Sequence, residues 1–303
     1  MKSKLKLFKK QIALQSMVVP GIIFLLIFSY IPIAGLVIAF MDYGVLDTIK
    51  TADWAGLDNF KNAFSDRYFW QAVRNTLGIS FLKLLIGFPF PIILAIMMQL
   101  MGENRFKRSV QTITYLPHFL SWIVLGGMVI SWFSVSGIFN QLLARLNLLD
   151  EPKNYLLDKD NYWMIAVMSD VWKEAGWNTV LYIAAMTGID PTFYEAAKID
   201  GASILQQIRY ITIPSIKYII SLNLIMTISG LLGSNLDQTL VLMNTQNRKT
   251  AEVINSYVYR IGIAEGNFSY STAVGLAVSI VSLILLVTAN FLTKRLNDGK
   301  SVF

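Results

Sequence analysis

The sequence predicts an all-α polytopic membrane protein with six transmembrane helices, and three observations carry that prediction. The chain of 303 residues is 54% hydrophobic and only 15% charged, whereas soluble domains carry about 25% charge. Its apolar residues fall in six long, continuous stretches, which argues against the ~10-residue alternating segments of a membrane barrel. Each stretch supplies the ~20 residues that a helix needs to cross the hydrocarbon layer. Cys is absent, so no disulfide framework or thiolate chemistry is available.

The stretches are taken in order. The first, 14–40, follows the basic leader MKSKLKLFKK. It is too long for the ~7–15-residue apolar core of a secretory signal, and no small-residue cleavage pattern closes it. It is therefore expected to be an uncleaved first span behind a short tail, 1–13. The remaining spans are expected at about 72–100, 111–133, 161–187, 216–243 and 271–293, in a single transmembrane domain over 14–293, with a second tail at 294–303. Trp54, Trp70, Tyr155, Tyr162 and Trp163 lie near outer ends, where aromatic side chains anchor a chain at the interface.

Net charge is +7 and the isoelectric point about 9.4, a balance also seen in nucleic-acid binders. Here the cations sit at the ends of the spans and not on one basic, aromatic-studded face, so no nucleic-acid partner is expected. Fourteen Lys and Arg fall on the side of the two termini and the 188–215 loop, against nine on the other, with Arg74, Lys83 and Lys173 within or at the edge of spans. The richer side is cytoplasmic. Both termini are thus expected inside, and so is the loop 188–215. The outer loops are acidic, with Asp42, Asp47, Asp53, Asp58 and Asp66 in the first and Asp150, Glu151, Asp158 and Asp160 in the second.

The loop 188–215 is polar among apolar neighbours. Asp190-Pro191 reads as a helix start, with the carboxylate capping free N–H groups and proline at the first helical position. Glu195 falls in the early turns, where the helix dipole favours an acid. Gly201 loosens the helix, Ser203 caps a second short one, and Pro214 marks entry to the fifth span. Two short amphipathic helices result, with Phe193, Ala196, Ala197, Ile199, Ile204, Leu205 and Ile208 as their apolar residues. From the residues alone the pair serves equally as a membrane-surface linker or as a docking element for a cytoplasmic partner.

Glu195-Ala196-Ala197, three residues, Gly201, nine residues and Ile211-Thr212-Ile213-Pro214 resemble the EAA loop of ATP-binding-cassette importer permeases, E-A-A-x3-G-x9-I-x-L-P, with Ile213 in place of Leu. Stretches from residue 111 onward, among them DVWKEAGWNTVLYIAAMTGIDPTFYEAAKIDGAS and LDQTLVLMN, are similar to the LplB-type branch of carbohydrate permeases. The resemblance implies a type I importer permease in a bacterial cell membrane. It implies that Glu195, Ala196, Ala197, Asp200, Gly201, Ile213 and Pro214 belong to a coupling element docked on an ATPase. The implied partners are a second, homologous permease, two cytoplasmic ATPase subunits and an extracellular solute-binding protein, and the implied substrate is an oligosaccharide. No GxxxxGK[ST] occurs, and the only Gly-Lys pair is Gly299-Lys300. The chain is therefore expected to bind no cofactor and to be no enzyme, with ATP and Mg held by the partner ATPases.

Ionisable groups inside a membrane are rare and usually face a cavity or a partner. Asp170, Lys173, Glu174 and Trp177 in the fourth span lie at i, i+3, i+4 and i+7, on one helical face that Trp163 extends. Carboxylates beside an indole suit a sugar path; mutual pairing, with Lys173 neutralising Asp170 or Glu174, satisfies the same residues. In the fifth span, Asn235, Asp237 and Gln238 are expected to line the path. Ser229, Gly230, Gly233 and Ser234 share the same polar patch, and its glycines are expected to allow close packing. Lys83 is expected to pair with an acid elsewhere in the bundle. His118 is expected at the cytoplasmic start of the third span with no acid beside it. One His and no Cys make a transition-metal site improbable. Two other functions fit parts of the sequence. An ion-coupled secondary transporter would use the midspan acids, and a membrane-embedded transferase would need clustered carboxylates at a membrane face, where only Glu103, Asp190, Glu195 and Asp200 are found.

Overall fold

The computed structural model describes residues 12–102, 104–148, 151–233 and 235–296. Ser234, Glu103, Asp150, the basic leader and most of the C-terminal tail lie outside the described residues. The chain divides into two compact units, Met1–Ser65 with Val258–Ala277, and Asp66–Tyr257 with Val278–Phe303.

In the first unit, α1 (Ile12–Leu25) runs on through a wide π turn (Leu26–Tyr30) into a tighter 3₁₀ stretch (Ile31–Phe40). Beyond Gln15 and Ser16 the side chains of this run are mainly apolar and largely exposed, which suits lipid as the solvent. The 3₁₀ stretch ends in a two-strand hairpin, β1 (Met41–Asp42) against β2 (Asp53–Trp54), with Met41 opposite Trp54. Asn59, on α2 (Asp58–Ser65), donates to Ala39 O at 3.1 Å and Met41 O at 2.9 Å, fastening α2 to the end of the first span.

The second unit begins with α3 (Arg67–Leu82), capped by Asp66, whose carboxylate accepts from Tyr68 N at 2.8 Å. It continues through a π turn (Lys83–Gly87) into α4 (Pro89–Leu100). Next come α5 (Arg105–Tyr115), a 3₁₀ turn (Leu116–Phe119), α6 (Trp122–Trp132), α7 (Ile138–Arg145) and the central helix α8 (Tyr162–Thr187). The loop region holds α9 (Pro191–Ile199) and α10 (Ile204–Gln207), and a π turn (Ile208–Thr212) leads into α11 (Ile213–Ser229). The short helices α12 (Leu236–Leu242) and α13 (Arg248–Ala251) follow, and α14 (Ile254–Tyr259) and the long α15 (Phe268–Leu296) each have residues in both units.

Two of the expected spans are interrupted. The third helix starts at Arg105, not 111, and its two halves, Arg105–Phe119 and Trp122–Trp132, meet at 104°. Pro117 lacks the N–H that a continuing helix would use, and Ser121 caps α6 afresh by accepting from Val124 N. The fifth stretch ends as a helix at Ser229 and restarts at Leu236. A Cβ at Gly230 or Gly233 would meet only nearby backbone at ordinary contact distance. These glycines therefore mark a break, and the close packing expected of them is not what they do.

Among the described residues, four helical runs are long and apolar enough to cross a membrane, or five with the bent pair counted as one. The central helix α8 has 26 residues but falls outside that set, because any 18 consecutive residues of it contain Asp170, Lys173 and Glu174. It is nonetheless the packing axis of this unit. Ile165, Val167, Val171 and Ala175 bury against Ile79, Leu125 and Leu242, and Tyr182 and Met186 against Ala95 and Ile216. At Gly176 the backbone of Thr114 on α5 comes so close that no Cβ fits. The Trp163 ring packs against Gly78, filling the space a Cβ would need, and its indole N–H donates to Thr250 O at 2.9 Å, while Tyr155 and Tyr162 are buried. These three belong to the core; only Trp54 and Trp70 of the five expected anchors are exposed.

Candidate functional site

A cavity of about 510 Å³ opens within the second unit. Its wall is built by the π turn after α3, one face of α8, the C-terminal half of α11 and the break that follows it. Lys83, Asp170, Glu174, Asn178, Tyr182, Asn223, Thr227 and Asn235 supply the polar groups, and Ile79, Leu84, Phe88, Val171 and Leu231 the apolar ones. The π turn inserts an extra residue per turn. Lys83 opens this turn, and its ammonium lies 3.1 Å from Asp170 Oδ1 while donating to Gln238 Oε1 at 3.0 Å. The expectation that Lys83 finds an acid within the bundle is met by Asp170.

A second ion group lies one turn along α8. Lys173 is buried, donates to His118 O at 2.6 Å, and sits 3.3 Å from Glu174 Oε1. The other carboxylate oxygen of Glu174 is 2.7 Å from His118 Nδ1. The imidazole stacks flat on Trp177, with ring centroids 4.6 Å apart and planes 1° apart. His118 was expected to have no acid beside it. The helix starts at Arg105, ahead of the expected 111, and the bend at Leu120 brings His118 against Glu174, a meeting across 56 residues that no local pattern signals.

Of the expected path residues, Asp170, Glu174 and Asn235 line the cavity. Lys173 is buried against the His118 backbone, and Trp177 is exposed and stacked on the imidazole. Gln238, 3% exposed, is turned inward, where its amide donates to Ala166 O at 2.6 Å and Ser169 Oγ at 3.0 Å. Asp237 is exposed in the first turn of α12, where the helix dipole favours an acid. Asn235 caps that helix by accepting from Gln238 N at 3.2 Å. Asn178, Tyr182 and Asn223 were not singled out from sequence. Asn178 and Tyr182 continue the Asp170–Glu174 face at i+4 and i+8, and Asn223, which donates to the Tyr182 hydroxyl at 2.7 Å, is a lone amide in an apolar helix. Those were the available signals.

The loop forms the two short helices expected. Asp190 caps α9, accepting from Thr192 N at 2.9 Å, and this bond holds its carboxyl below the usual range. At the other end Gly201 takes φ +73°. Ala202 N then donates to Ala197 O at 2.8 Å and Gly201 N to Lys198 O at 3.1 Å, the paired closure of a Schellman motif. Ser203 and Gln206 cap α10 reciprocally. Glu195, Ala196 and Asp200 are exposed and Ala197 is half-buried, while Ile213 and Pro214 open α11. Ile199 is 86% and Leu205 77% exposed, so the loop presents unpartnered apolar side chains. Among the described residues, no three of His, Cys, Asp and Glu gather as a metal ion would need.

A family model described as the binding-protein-dependent transport system inner membrane component matches residues 87–300. The polygalacturonan/rhamnogalacturonan transport system permease protein YteP of Bacillus subtilis (strain 168) is 40% identical over 283 residues, covering 93% of this chain and 88% of that protein. Protein LplB of the same organism is 38% identical over 283 residues, with the same coverage. Among solved structures, a bacterial alginate ABC transporter in complex with an alginate pentasaccharide-bound periplasmic protein matches with a TM-score of 0.87 and 34% identity, covering 98% of both chains.

Proposed function

The chain belongs to the family of binding-protein-dependent transport system inner membrane components, and from that premise we propose that it forms half of the translocation path of an ATP-driven oligosaccharide importer. The observation that carries this reading is the 188–215 loop. Its helix α9 is capped at both ends and exposed over nearly all of its surface. Such a helix suits insertion into a cleft of another protein better than packing on its own chain.

In this reading the six spans are the α1 run, α3 with α4, the bent α5–α6 pair, α8, the α10–α11 run with its break, and α15, with both termini and the α9 loop cytoplasmic. Residues 1–13 and 294–303 are tails and the rest is one transmembrane domain. The partners are a second permease that completes the path, two ATPase subunits that hold ATP and Mg, and an extracellular solute-binding protein. Closure of the ATPases draws the two α9 helices together and turns the cavity outward, as rigid bundles rocking about a fixed site do. Glu195, Ala196, Ala197, Asp200, Gly201, Ile213 and Pro214 form the coupling element.

The cavity side of the reading uses Asp170, Glu174 and Asn235, with Lys83, Asn178, Asn223 and Tyr182 beside them. Amides and hydroxyls exchange hydrogen bonds with sugar hydroxyls at small net gain per bond, which favours passage over tight capture. Both carboxylates already face cations of their own chain, an arrangement that suits a charge-balanced wall better than an ion-carrying site. YteP carries polygalacturonan and rhamnogalacturonan in its name and the matched structure carries alginate, so a uronate-containing oligosaccharide is the substrate we assign. The test is ATP hydrolysis and uptake in liposomes by the complex purified with its co-expressed partners. Stimulation of hydrolysis by binding protein loaded with a uronate oligosaccharide supports the reading. Uptake that follows an ion gradient, with no ATPase co-purifying, overturns it.

A further inference from the structure

Helix α9 is attached to the chain at its two ends and, between them, through one narrow face. Of its nine residues only Tyr194 and Ala197 are partly buried; the others are exposed. The Tyr194 hydroxyl lies 3.0 Å from Thr212 Oγ1. Thr212 is 4% exposed and closes the π turn at the root of α11. The Thr212 hydroxyl also lies 3.5 Å from Gln207 O, five residues back across that turn. The bond therefore joins the middle of an exposed helix to the base of a span. Some 11 to 15 residues further on, or about 16–22 Å at 1.5 Å per residue, α11 places Asn223 and Thr227 in the cavity wall and then breaks at Gly230.

We propose that Tyr194 is the positioning residue that transmits movement of α9 to α11, acting as a strut against Thr212, so that the cavity wall follows the loop. This rests on the reading of α9 as the coupling helix. A helix held only at flexible ends can tilt without moving its neighbours. At the Gly201 end the closing bonds, Ala202 N to Ala197 O and Gly201 N to Lys198 O, run within the loop itself and do not tie α9 to α11. A mid-helix contact to a buried hydroxyl removes that freedom. The π turn supplies the other requirement, since a wide turn is an interruption that can shift register more easily than regular helix.

The experiment uses the whole importer in liposomes, with the parent chain, Tyr194→Phe, Thr212→Val and the double variant, and Thr212→Ser as the conservative control. Three quantities are read: ATPase subunit retained on purification, hydrolysis stimulated by loaded binding protein, and oligosaccharide taken up per ATP. The expected result is uptake per ATP lowered about fivefold in either single variant, the change that one hydrogen bond's net contribution makes in an equilibrium. The double variant is no worse, Thr212→Ser matches the parent, and ATPase retention is unchanged. Parent-like uptake per ATP in both single variants overturns the strut, and so do additive losses in the double. Loss of the ATPase subunit in Tyr194→Phe also overturns it, by making Tyr194 part of the docking face. A parent complex that retains no ATPase sinks instead the coupling reading beneath it.

Discussion

The ammonium of Lys83 sits 3.1 Å from Asp170 Oδ1 and 3.0 Å from Gln238 Oε1, so one side chain from a π turn holds the central helix α8 and the restarted helix α12 at once. Lys83 and Asp170 are each 21% exposed, at the cavity wall. Removing one partner of a largely buried pair leaves the other charge without compensation, which is the expensive way to break it. Lys83→Met should destabilise the purified complex by about 2 kcal/mol. Lys83→Met with Asp170→Leu should recover most of that, since both charges are then gone. Thermal unfolding of the four proteins of this cycle measures the coupling, and a double variant that only adds the two losses would show that the pair is not the joint.

Close approach of two helix backbones needs a residue without Cβ. At Gly176 a Cβ would run into the backbone of Thr114, whereas at Gly127 nothing lies within 4 Å. Gly176→Ala should therefore force α5 off α8 and destabilise by about 3 kcal/mol. Gly127→Ala should be neutral or slightly stabilising, because Ala favours a helix over Gly by about 1 kcal/mol. Equal unfolding temperatures for the two variants would refute the crossing at Gly176.

How legible this site was can be judged residue by residue. Asp170 and Glu174 were recognisable because helical spacing is local: i and i+4 must share a face, and one face of α8 does line the cavity. The capped loop was legible for the same reason, since Asp190, Gly201 and Ser203 act within a few residues of themselves. The meeting of His118 with Glu174 was not, because it depends on a 104° bend between two stretches that hydropathy reads as one. The breaks at Pro117 and at Gly230–Gly233 were not read as such, since the glycines were expected to pack, and the direction of the chain after a break is decided by tertiary packing. Gln238 reads as a lining amide by chemistry, yet its turn inward toward Ala166 O and Ser169 depends on where α12 restarts.

Gly201 provides a test of the loop through its backbone. Its φ of +73° costs a residue with Cβ about 1–2 kcal/mol, and no neighbour obstructs a side chain there. Gly201→Ala should therefore act through backbone strain alone and loosen the end of α9, while Gly201→Asn, which tolerates the left-handed region, should be milder. Stimulated ATP hydrolysis should fall in the order parent, Asn, Ala. An Asn variant as impaired as the Ala variant would point to the side chain and away from the backbone.

At the opposite end of α9, Asp190 makes the loop sensitive to acid in one direction only. Its carboxylate accepts from Thr192 N at 2.9 Å, which favours the charged form and lowers its pKa below the ordinary Asp value. A carboxyl held low in the folded loop contributes stability above its unfolded pKa, and that contribution fades as pH falls through the lower folded one. The helix start should thus be indifferent to pH around neutrality and loosen only on the acid side of the usual Asp range. Asp190→Asn keeps a capping oxygen without the ionisation, so its helix start should persist with the acid step gone. Asp190→Ala should be loose at every pH. Amide hydrogen exchange over residues 191–199, corrected for the intrinsic pH dependence of exchange, reads all three directly. Identical pH profiles for the parent and Asp190→Asn would mean that the cap is not what Asp190 contributes.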